Sequence, residues 1–124
     1  MLRAFLFVGI GGAVGSMARY GVSLVVNKLS TASFPLATFF INILGCFLIG
    51  LLFGVAQKNN TLQSDSWLIL ATGFCGGFTT FSAFALENSN LLKGSLNMTA
   101  LLYTILSVVL GIILCRLGIS LTNI

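Results

Sequence analysis

Long stretches without a charged residue constrain this chain more than any other feature of its sequence. Uncharged runs of 29, 21 and 22 residues separate successive charges, in the order Lys28 to Lys58, Asp65 to Glu87, and Lys93 to Arg116. A helix needs about 20 apolar residues to cross the hydrocarbon core of a bilayer. Each of the three runs is therefore long enough to span a membrane once.

An apolar N-terminal segment adds a fourth span. It favours a spanning helix over a cleaved signal peptide because it is rich in Gly, contains Arg19 late, and has no clean small-residue cleavage site. Pro35 suits the first turn of the second helix, and Trp67 stands where interfacial aromatic residues occur. The predicted fold is an all-α membrane protein, a single domain over residues 1–124, with spans at about 3–27, 35–56, 66–92 and 97–121.

The composition excludes several classes of protein. Only 6% of the residues are charged and 57% are hydrophobic, whereas a soluble domain carries roughly a quarter charged residues. The Lys and Arg residues are scattered and form no patch for a nucleic acid. With no His and only two acidic residues, Asp65 and Glu87, the chain is predicted not to be an enzyme. Cys46, Cys75 and Cys115 lie in apolar stretches and are expected to be small packing residues.

Positive charges divide evenly between the two sides of the predicted membrane. Each side receives three, Arg3, Lys58 and Arg116 against Arg19, Lys28 and Lys93. An excess of Lys and Arg on one side normally sets the orientation of a membrane protein. The balance has two readings: insertion in both orientations, which permits an antiparallel homodimer, or a chance division of the charges.

The centre of the third span is a poor helix interior. It reads Gly73-Phe74-Cys75-Gly76-Gly77-Phe78-Thr79-Thr80-Phe81-Ser82-Ala83-Phe84, with a Gly-Gly pair before two β-branched residues. Non-helical backbone at mid-membrane is tolerated only where protein or a water-filled cavity satisfies it. We predict a third helix broken at its centre, around residues 76 to 79, with carbonyls suited to a hard cation and N–H groups suited to an anion. A simple packing kink is the alternative.

Polar and aromatic side chains recur at helical spacing within the spans. Phe78, Phe81 and Phe84 are predicted to share one face, either as packing residues or as electropositive ring edges along an anion path. Asn42 stands alone at mid-membrane depth, where its amide either bonds to another helix or donates to a permeating ion. Thr38 lies one turn earlier on the same face.

The fourth span carries a narrow row of polar or small residues at four-residue spacing, Thr99, Tyr103, Ser107 and Gly111. The row either joins helices or offers hydroxyl donors along a pore. The spacings Gly11-xxx-Gly15 and Gly50-xxx-Gly54 predict that helices approach closely at these glycines.

Two charged residues within the spans are candidates for function, because charges inside a membrane are costly. Glu87 is expected in a vestibule, at the interface or on the pathway. Arg19 is expected either to extend toward the membrane surface or to tie down the end of a neighbouring helix.

These motifs together resemble the Fluc (CrcB-type) family of bacterial fluoride channels. The resemblance is carried by the third-span sequence given above, by Gly11-Gly12-x-x-Gly15-x-x-x-Arg19-Tyr20 in the first span, and by Asn42-x-x-Gly45 in the second. It covers essentially the whole chain. Where the family usually has Thr, this chain has Ala83, so a hydroxyl is missing there.

The resemblance implies an antiparallel, dual-topology homodimer in the bacterial cytoplasmic (inner) membrane, with two pores that export fluoride passively. It also implies a Na+ ion buried at the dimer interface, held by the backbone carbonyls of Gly76 and Thr79 from both subunits. The implied pathway comprises the amide of Asn42, the rings of Phe81 and Phe84, and a polar track formed by Tyr103 and Ser107. Glu87 is implied to lie beside this track. The hydroxyls of Thr38, Thr80 and Ser82 are predicted to contribute further donors.

Two other classes of protein share part of this sequence pattern. A proton-coupled small multidrug exporter also has four short spans, but it needs a carboxylate in its first span, and this first span has none. A non-conducting scaffold subunit of a membrane complex would need neither an interrupted third span nor a polar row. Purified scaffold protein would conduct nothing.

Overall fold

The structure is a computed structural model that describes residues 1–123, and all the regular secondary structure in that range is helical. Within those residues, four helical runs are long and apolar enough to cross a membrane: Leu2–Leu29, Leu36–Lys58, Asp65–Lys93 and Asn97–Thr122. They are called the first to fourth spans below. The prediction of an all-α protein with four membrane spans is confirmed, and each observed bound lies within two residues of the predicted one.

Short turns join the spans. Pro35 immediately precedes the second span, where its missing N–H removes no helical hydrogen bond. Asn60, just after the second span, has a φ of 57°, a left-handed conformation that Asn tolerates better than most residues. Ser95 adopts a φ of 64° in the turn between the third and fourth spans. These turns connect neighbouring spans with little chain outside the membrane.

The first and third spans form a closely packed parallel pair. Gly11 lies against Gly73, and Gly15 lies against the backbone of Phe74 and Phe78. Residue numbers increase together along the contact, so the two helices run in the same direction. A Cβ at Gly11 would lie 3.0 Å from the Cα of Gly73, so only glycine permits this approach. The close packing predicted from Gly11-xxx-Gly15 is confirmed.

The second and fourth spans form a second parallel pair of the same kind. Gly50 lies against the backbone of Cys115, and Gly54 lies against the side chain of Thr122. From the fourth span, Gly118 packs on the backbone of Phe47 in the second span. The second small-residue spacing, Gly50-xxx-Gly54, therefore also marks a close helix contact, as predicted.

The first half of the third span is not a uniform α-helix. After a single turn at Asp65–Trp67, the chain is π-helical from Leu68 to Cys75, and the N–H of Gly76 donates to the carbonyl of Ala71, five residues earlier. Segments of π-helix are rare and are found frequently at functional sites. Nothing in the sequence pattern predicted this segment.

The bend in the third span involves two residues, Thr79 and Thr80. Their φ and ψ angles are −82° and 157°, and −150° and 123°, and helical geometry resumes at Phe81 and continues to Lys93. The sequence prediction placed a break around residues 76 to 79, but Gly76–Phe78 stay helical. The structure has a mild bend here, displaced toward the C-terminus, because β-branched Thr favours extended backbone.

Candidate functional site

Two cavities border the bend where the two pairs of spans meet. The polar cavity, with a volume of about 370 Å³, is lined by residues that include Arg19, Ser23, Asn27, Thr38, Thr80 and Glu87. The aromatic cavity, with a volume of about 490 Å³, is lined by residues that include Asn42, Thr79, Thr80, Phe81, Phe84 and Ser107. Thr80 borders both cavities. Most of the site residues predicted from the sequence therefore meet at this junction.

Glu87 is held by hydroxyl groups from two other spans. Thr38 Oγ1 in the second span donates to Glu87 Oε1, and Tyr103 OH in the fourth span donates to Glu87 Oε2 at 3.3 Å. Thr38 is buried and Tyr103 is completely so. The structure thus brings these three predicted residues together, and two of them, Thr38 and Glu87, form part of the wall of the polar cavity.

Asn42 bonds to the backbone of the bend. Its Nδ2 donates to the carbonyl of Thr80 at 2.9 Å, and its Oδ1 accepts from the N–H of Thr80 at 2.8 Å. Of the two roles left open for this amide, the bond to another helix is therefore observed. A carboxamide has a second N–H, which these two bonds leave free for another acceptor.

In a continuous helix, two carbonyls in the bend would accept hydrogen bonds from backbone N–H groups that here donate to side chains instead. The carbonyl of Gly76 would accept from Thr80 N–H, which donates instead to Asn42. The carbonyl of Thr79 would accept from Ala83 N–H, which donates instead to Thr80 Oγ1 at 3.2 Å. Gly76 and Thr79 both border the aromatic cavity. The bend therefore releases backbone oxygens in an otherwise apolar segment.

The aromatic residues of the third span separate at the bend. Phe81 is 79% exposed and lies 5.6 Å from the ring of Phe84, measured between ring centroids. Phe78 is only 3% exposed and stacks on Phe74 at 5.5 Å. The prediction that Phe78 shares a face with the other two is wrong, because the extended residues Thr79 and Thr80 interrupt the helical periodicity. Of the three phenylalanines, only Phe81 and Phe84 line the aromatic cavity.

Ser107 in the fourth span forms part of the wall of the aromatic cavity. Its Oγ atom is buried, and it has no hydrogen-bond partner within the part of the chain that the structure describes. Buried hydroxyl groups are normally hydrogen-bonded, so an orphaned one calls for an explanation. Within the same row, Gly111 packs against the sulfur of Cys46, and Tyr103 reaches Glu87. The row therefore joins helices at Tyr103 and Gly111, and at Ser107 it places a hydroxyl without a partner among residues 1–123.

Arg19 reaches the third span from the first. Its Nε donates to the carbonyl of Gly77 at 3.1 Å, and its side chain also lines the polar cavity. In a continuous helix this carbonyl would accept from the N–H of Phe81, the first residue after the bend. Of the two readings of Arg19, the tie to a neighbouring helix end is observed.

Ser82 lies at the edge of the site. It is exposed, and its Oγ is 3.2 Å from Thr80 Oγ1. Sequence reasoning missed a further polar link between the third and fourth spans, in which Thr104 Oγ1 donates to Asn88 Oδ1 at 3.2 Å. Asn88 in turn donates to the carbonyl of Phe84 at 3.2 Å. The amide of Asn88 directly after Glu87, deep in an apolar chain, was the signal that could have found it.

The four spans and this junction describe a multi-pass membrane protein whose polar side chains converge between its helices. The chain belongs to the CrcB family: the family described as "CrcB-like protein, Camphor Resistance (CrcB)" matches residues 6–119. The chain is 44% identical over 123 residues to the "Fluoride-specific ion channel FluC" of Azobacteroides pseudotrichonymphae, which covers 99% of this chain and 98% of that relative.

Other relatives match at similar levels. The protein of the same name from Flavobacterium psychrophilum is 44% identical over 118 residues, with 95% of each chain covered. That from Prosthecochloris aestuarii is 45% identical over 121 residues, with 98% of this chain and 94% of the relative covered. Each of these relatives is named as an ion channel and not as an enzyme.

Proposed function

We propose that this protein is a fluoride-selective channel that lets fluoride leave the cell passively across the bacterial cytoplasmic membrane. One observation carries the proposal: a cavity at the junction of the spans is lined by Phe81, Phe84, Asn42 and Ser107, and the buried Ser107 hydroxyl has no hydrogen-bond partner among residues 1–123. The fluoride channels named among the relatives align over nearly the whole chain. The four apolar spans support the location in a membrane.

Fluoride is small and strongly hydrated, so a selective pore has to replace its water with compact hydrogen-bond donors. The free N–H of Asn42 and the hydroxyl of Ser107 are such donors. The edges of Phe81 and Phe84 are electropositive and can contact an anion without trapping it. Hydroxyls of Thr80 and Ser82 extend the series, and Glu87, to which Thr38 and Tyr103 donate, lies at the polar cavity. Several weak contacts in succession let an ion enter and leave.

An antiparallel homodimer is part of the proposal. The single chain leaves Gly76, Phe81 and Ser82 exposed near the middle of a membrane span. Hydrocarbon is a poor environment for a released carbonyl or a hydroxyl, so a second copy is the natural cover for this face. The even division of positive charges supports insertion in both orientations. Each dimer would contain two pores.

A Na+ ion between the two subunits completes the proposal. Backbone carbonyl oxygens suit hard cations, and the bend releases those of Gly76 and Thr79 from their helical partners. The donor set therefore fits the ion, with two oxygens offered by each subunit. When bound, Na+ would offset the repulsion between facing carbonyls and add a fixed positive charge near the anion path.

Fluoride efflux from liposomes that contain the purified protein tests the function directly. We expect efflux recorded with a fluoride electrode and no efflux of chloride. Replacing both Phe81 and Phe84 with Ile should abolish fluoride efflux and leave the dimer intact on size-exclusion chromatography. Phe5→Ile makes the same chemical change at an exposed position of the first span and should conduct normally.

The outcomes separate the alternatives. A purified protein that conducts nothing would favour a scaffold subunit, and transport that depends on a proton gradient and carries organic cations would favour a multidrug exporter. Full fluoride efflux in the double variant would remove Phe81 and Phe84 from the pathway.

A further inference from the structure

The contact between Asn42 and Thr80 stands between the two cavities. Thr80 borders the polar cavity on one side and the aromatic cavity on the other, and Asn42 lines the aromatic cavity. Both hydrogen bonds of the Asn42 amide go to the backbone of this one residue. The pair of bonds, called the clamp below, is therefore placed where it can affect both cavities.

The clamp replaces the bonding that a helix would otherwise impose. With a φ of −150° and a ψ of 123°, Thr80 has the backbone of a β-strand, and Asn42 bonds its N–H and C=O as a neighbouring strand would. A side chain that does this must donate and accept side by side. Among uncharged side chains, only Asn and Gln carry such a group, and a longer Gln would displace the bonded atoms.

Two features of the site depend on the extended form of Thr80. Its Oγ1 accepts from Ala83 N–H and so starts the helix that carries Phe81, Phe84 and Glu87. Its N–H, held by Asn42, is kept away from the carbonyl of Gly76. If the clamp were lost, Thr80 N–H could bond to that carbonyl and the third span could become a continuous helix.

We infer that Asn42 is a positioning residue that acts on ion flow through the backbone of Thr80, by holding the third span in its bent form. The inference rests on the proposed function and adds to it a role for Asn42 other than donation to fluoride. The clamp orients the phenylalanine pair on one side of the bend and keeps the Gly76 carbonyl accessible on the other.

The sequence provides an unusually direct spectroscopic probe of the clamp. Thr79-Thr80 is the only Thr-Thr pair in the chain, so threonine labelled with 13C at the carbonyl and with 15N gives a single carbonyl-to-amide NMR correlation. Glycine labelled in the same way gives two, from Gly11-Gly12 and Gly76-Gly77. Gly11 lies inside the first span and serves as a helical reference.

The test compares Asn42→Leu, which keeps the side-chain size but loses both bonds, with the wild-type protein. Asn59→Leu, the same change at the exposed end of the second span, is the matched control. Asn42→Ser, whose hydroxyl is too short to reach both groups, serves as a second variant if Asn42→Leu does not fold. Fluoride efflux, the Thr79–Thr80 correlation with its amide exchange rate, and the Gly76–Gly77 correlation are measured for each protein.

We expect loss of the clamp to lower fluoride efflux about tenfold or more, since two hydrogen bonds are lost. The Thr79–Thr80 correlation should shift, and the Gly76 carbonyl shift should move toward that of the helical Gly11. Asn59→Leu should leave fluoride efflux and both correlations unchanged. Lower efflux with unchanged correlations would overturn the inference, because Asn42 would then act on the ion directly. Shifted correlations with normal efflux would overturn it as well. A wild-type protein that carries no fluoride would instead refute the proposed function.

Discussion

The third span meets the first span and the second span in opposite ways. Against the first span, Gly11, Gly15 and Gly73 bring two backbones into direct contact. Against the second span, the backbone of Thr80 leaves helical geometry, and the side chain of Asn42 supplies its hydrogen bonds.

The difference shows where a membrane helix can interact with an ion. In regular helix, every N–H and C=O is bonded within the helix and offers nothing to a ligand. At the bend, side chains from other spans take over part of this bonding, and backbone oxygens such as that of Gly76 become available. The glycine contact fixes the position of the third span, and the polar contact stabilises its bent form. Four substitutions test this division, in order of decreasing expected effect on the free energy of unfolding.

Gly15→Val should have the largest effect. A side-chain carbon at Gly15 would lie 2.9 Å from the N of Phe78 and closer still to the carbonyl of Phe74, both of which are backbone atoms that cannot move aside. We expect a loss of about 3 kcal/mol, or no folded protein. Reversible unfolding in mixed micelles measures the change. Gly21→Val is the control, because its added carbon would lie more than 4 Å from every heavy atom of residues 1–123 outside its own stretch of helix backbone. Equal stability of the two variants would show that the glycine contact between the first and third spans does not stabilise the fold.

Arg19→Leu should come next. It removes the donor to the Gly77 carbonyl just before the bend, and a half-buried carbonyl left without a partner costs about 1–3 kcal/mol. The same unfolding measurement applies. Lys28→Leu, at the exposed end of the same span, removes an equal charge and should change stability by less than about 0.5 kcal/mol. If the two variants lose the same free energy of unfolding, the Arg19 side chain contributes its charge alone and not a specific hydrogen bond.

Sequence reasoning succeeded where a residue type is compatible with few structural environments. Uncharged runs between Lys28 and Arg116 gave the spans, and the spacings of Gly11 and Gly15 gave a close helix contact. Each case depends on a strong local constraint that any fold of this chain would have to meet.

The rest depended on contacts between distant residues. The bend lies at Thr79 and Thr80 and not at the Gly-Gly pair, because Gly77 packs in helical form on Gly12 of the first span and β-branched Thr favours extended backbone. The placement of Phe78 was wrong for the same reason, since periodicity cannot be carried across a bend of unknown position. The partner of Asn42 is a backbone group 38 residues away, which no spacing reveals.

Ser107→Ala should change stability little and transport more. The Ser107 hydroxyl has no partner in the described chain, so removing it should leave the free energy of unfolding unchanged or raise it by up to about 1 kcal/mol. Fluoride efflux should fall about tenfold, since one donor to the ion is lost. Ser120→Ala, which removes a hydroxyl bonded to the Arg116 carbonyl on an exposed face of the same span, should leave efflux unchanged. A clear loss of stability in Ser107→Ala would mean that the hydroxyl has a structural partner.

Asp65→Asn should have the smallest effect, and it tests whether the contact of the first and third spans depends on more than glycine. Arg3 pairs with Asp65 at the end of that contact, but the two side chains are 74% and 44% exposed. Exposed ion pairs contribute about 0–1 kcal/mol, so we expect a loss of about 0.5 kcal/mol or less and normal fluoride efflux. A double-mutant cycle with Arg3→Gln isolates the pair, and its coupling should vanish at high salt, where charges are screened over about 3 Å. A coupling above about 1 kcal/mol that survives salt would show that the ion pair, and not only the glycine contact, fixes the register of the two helices.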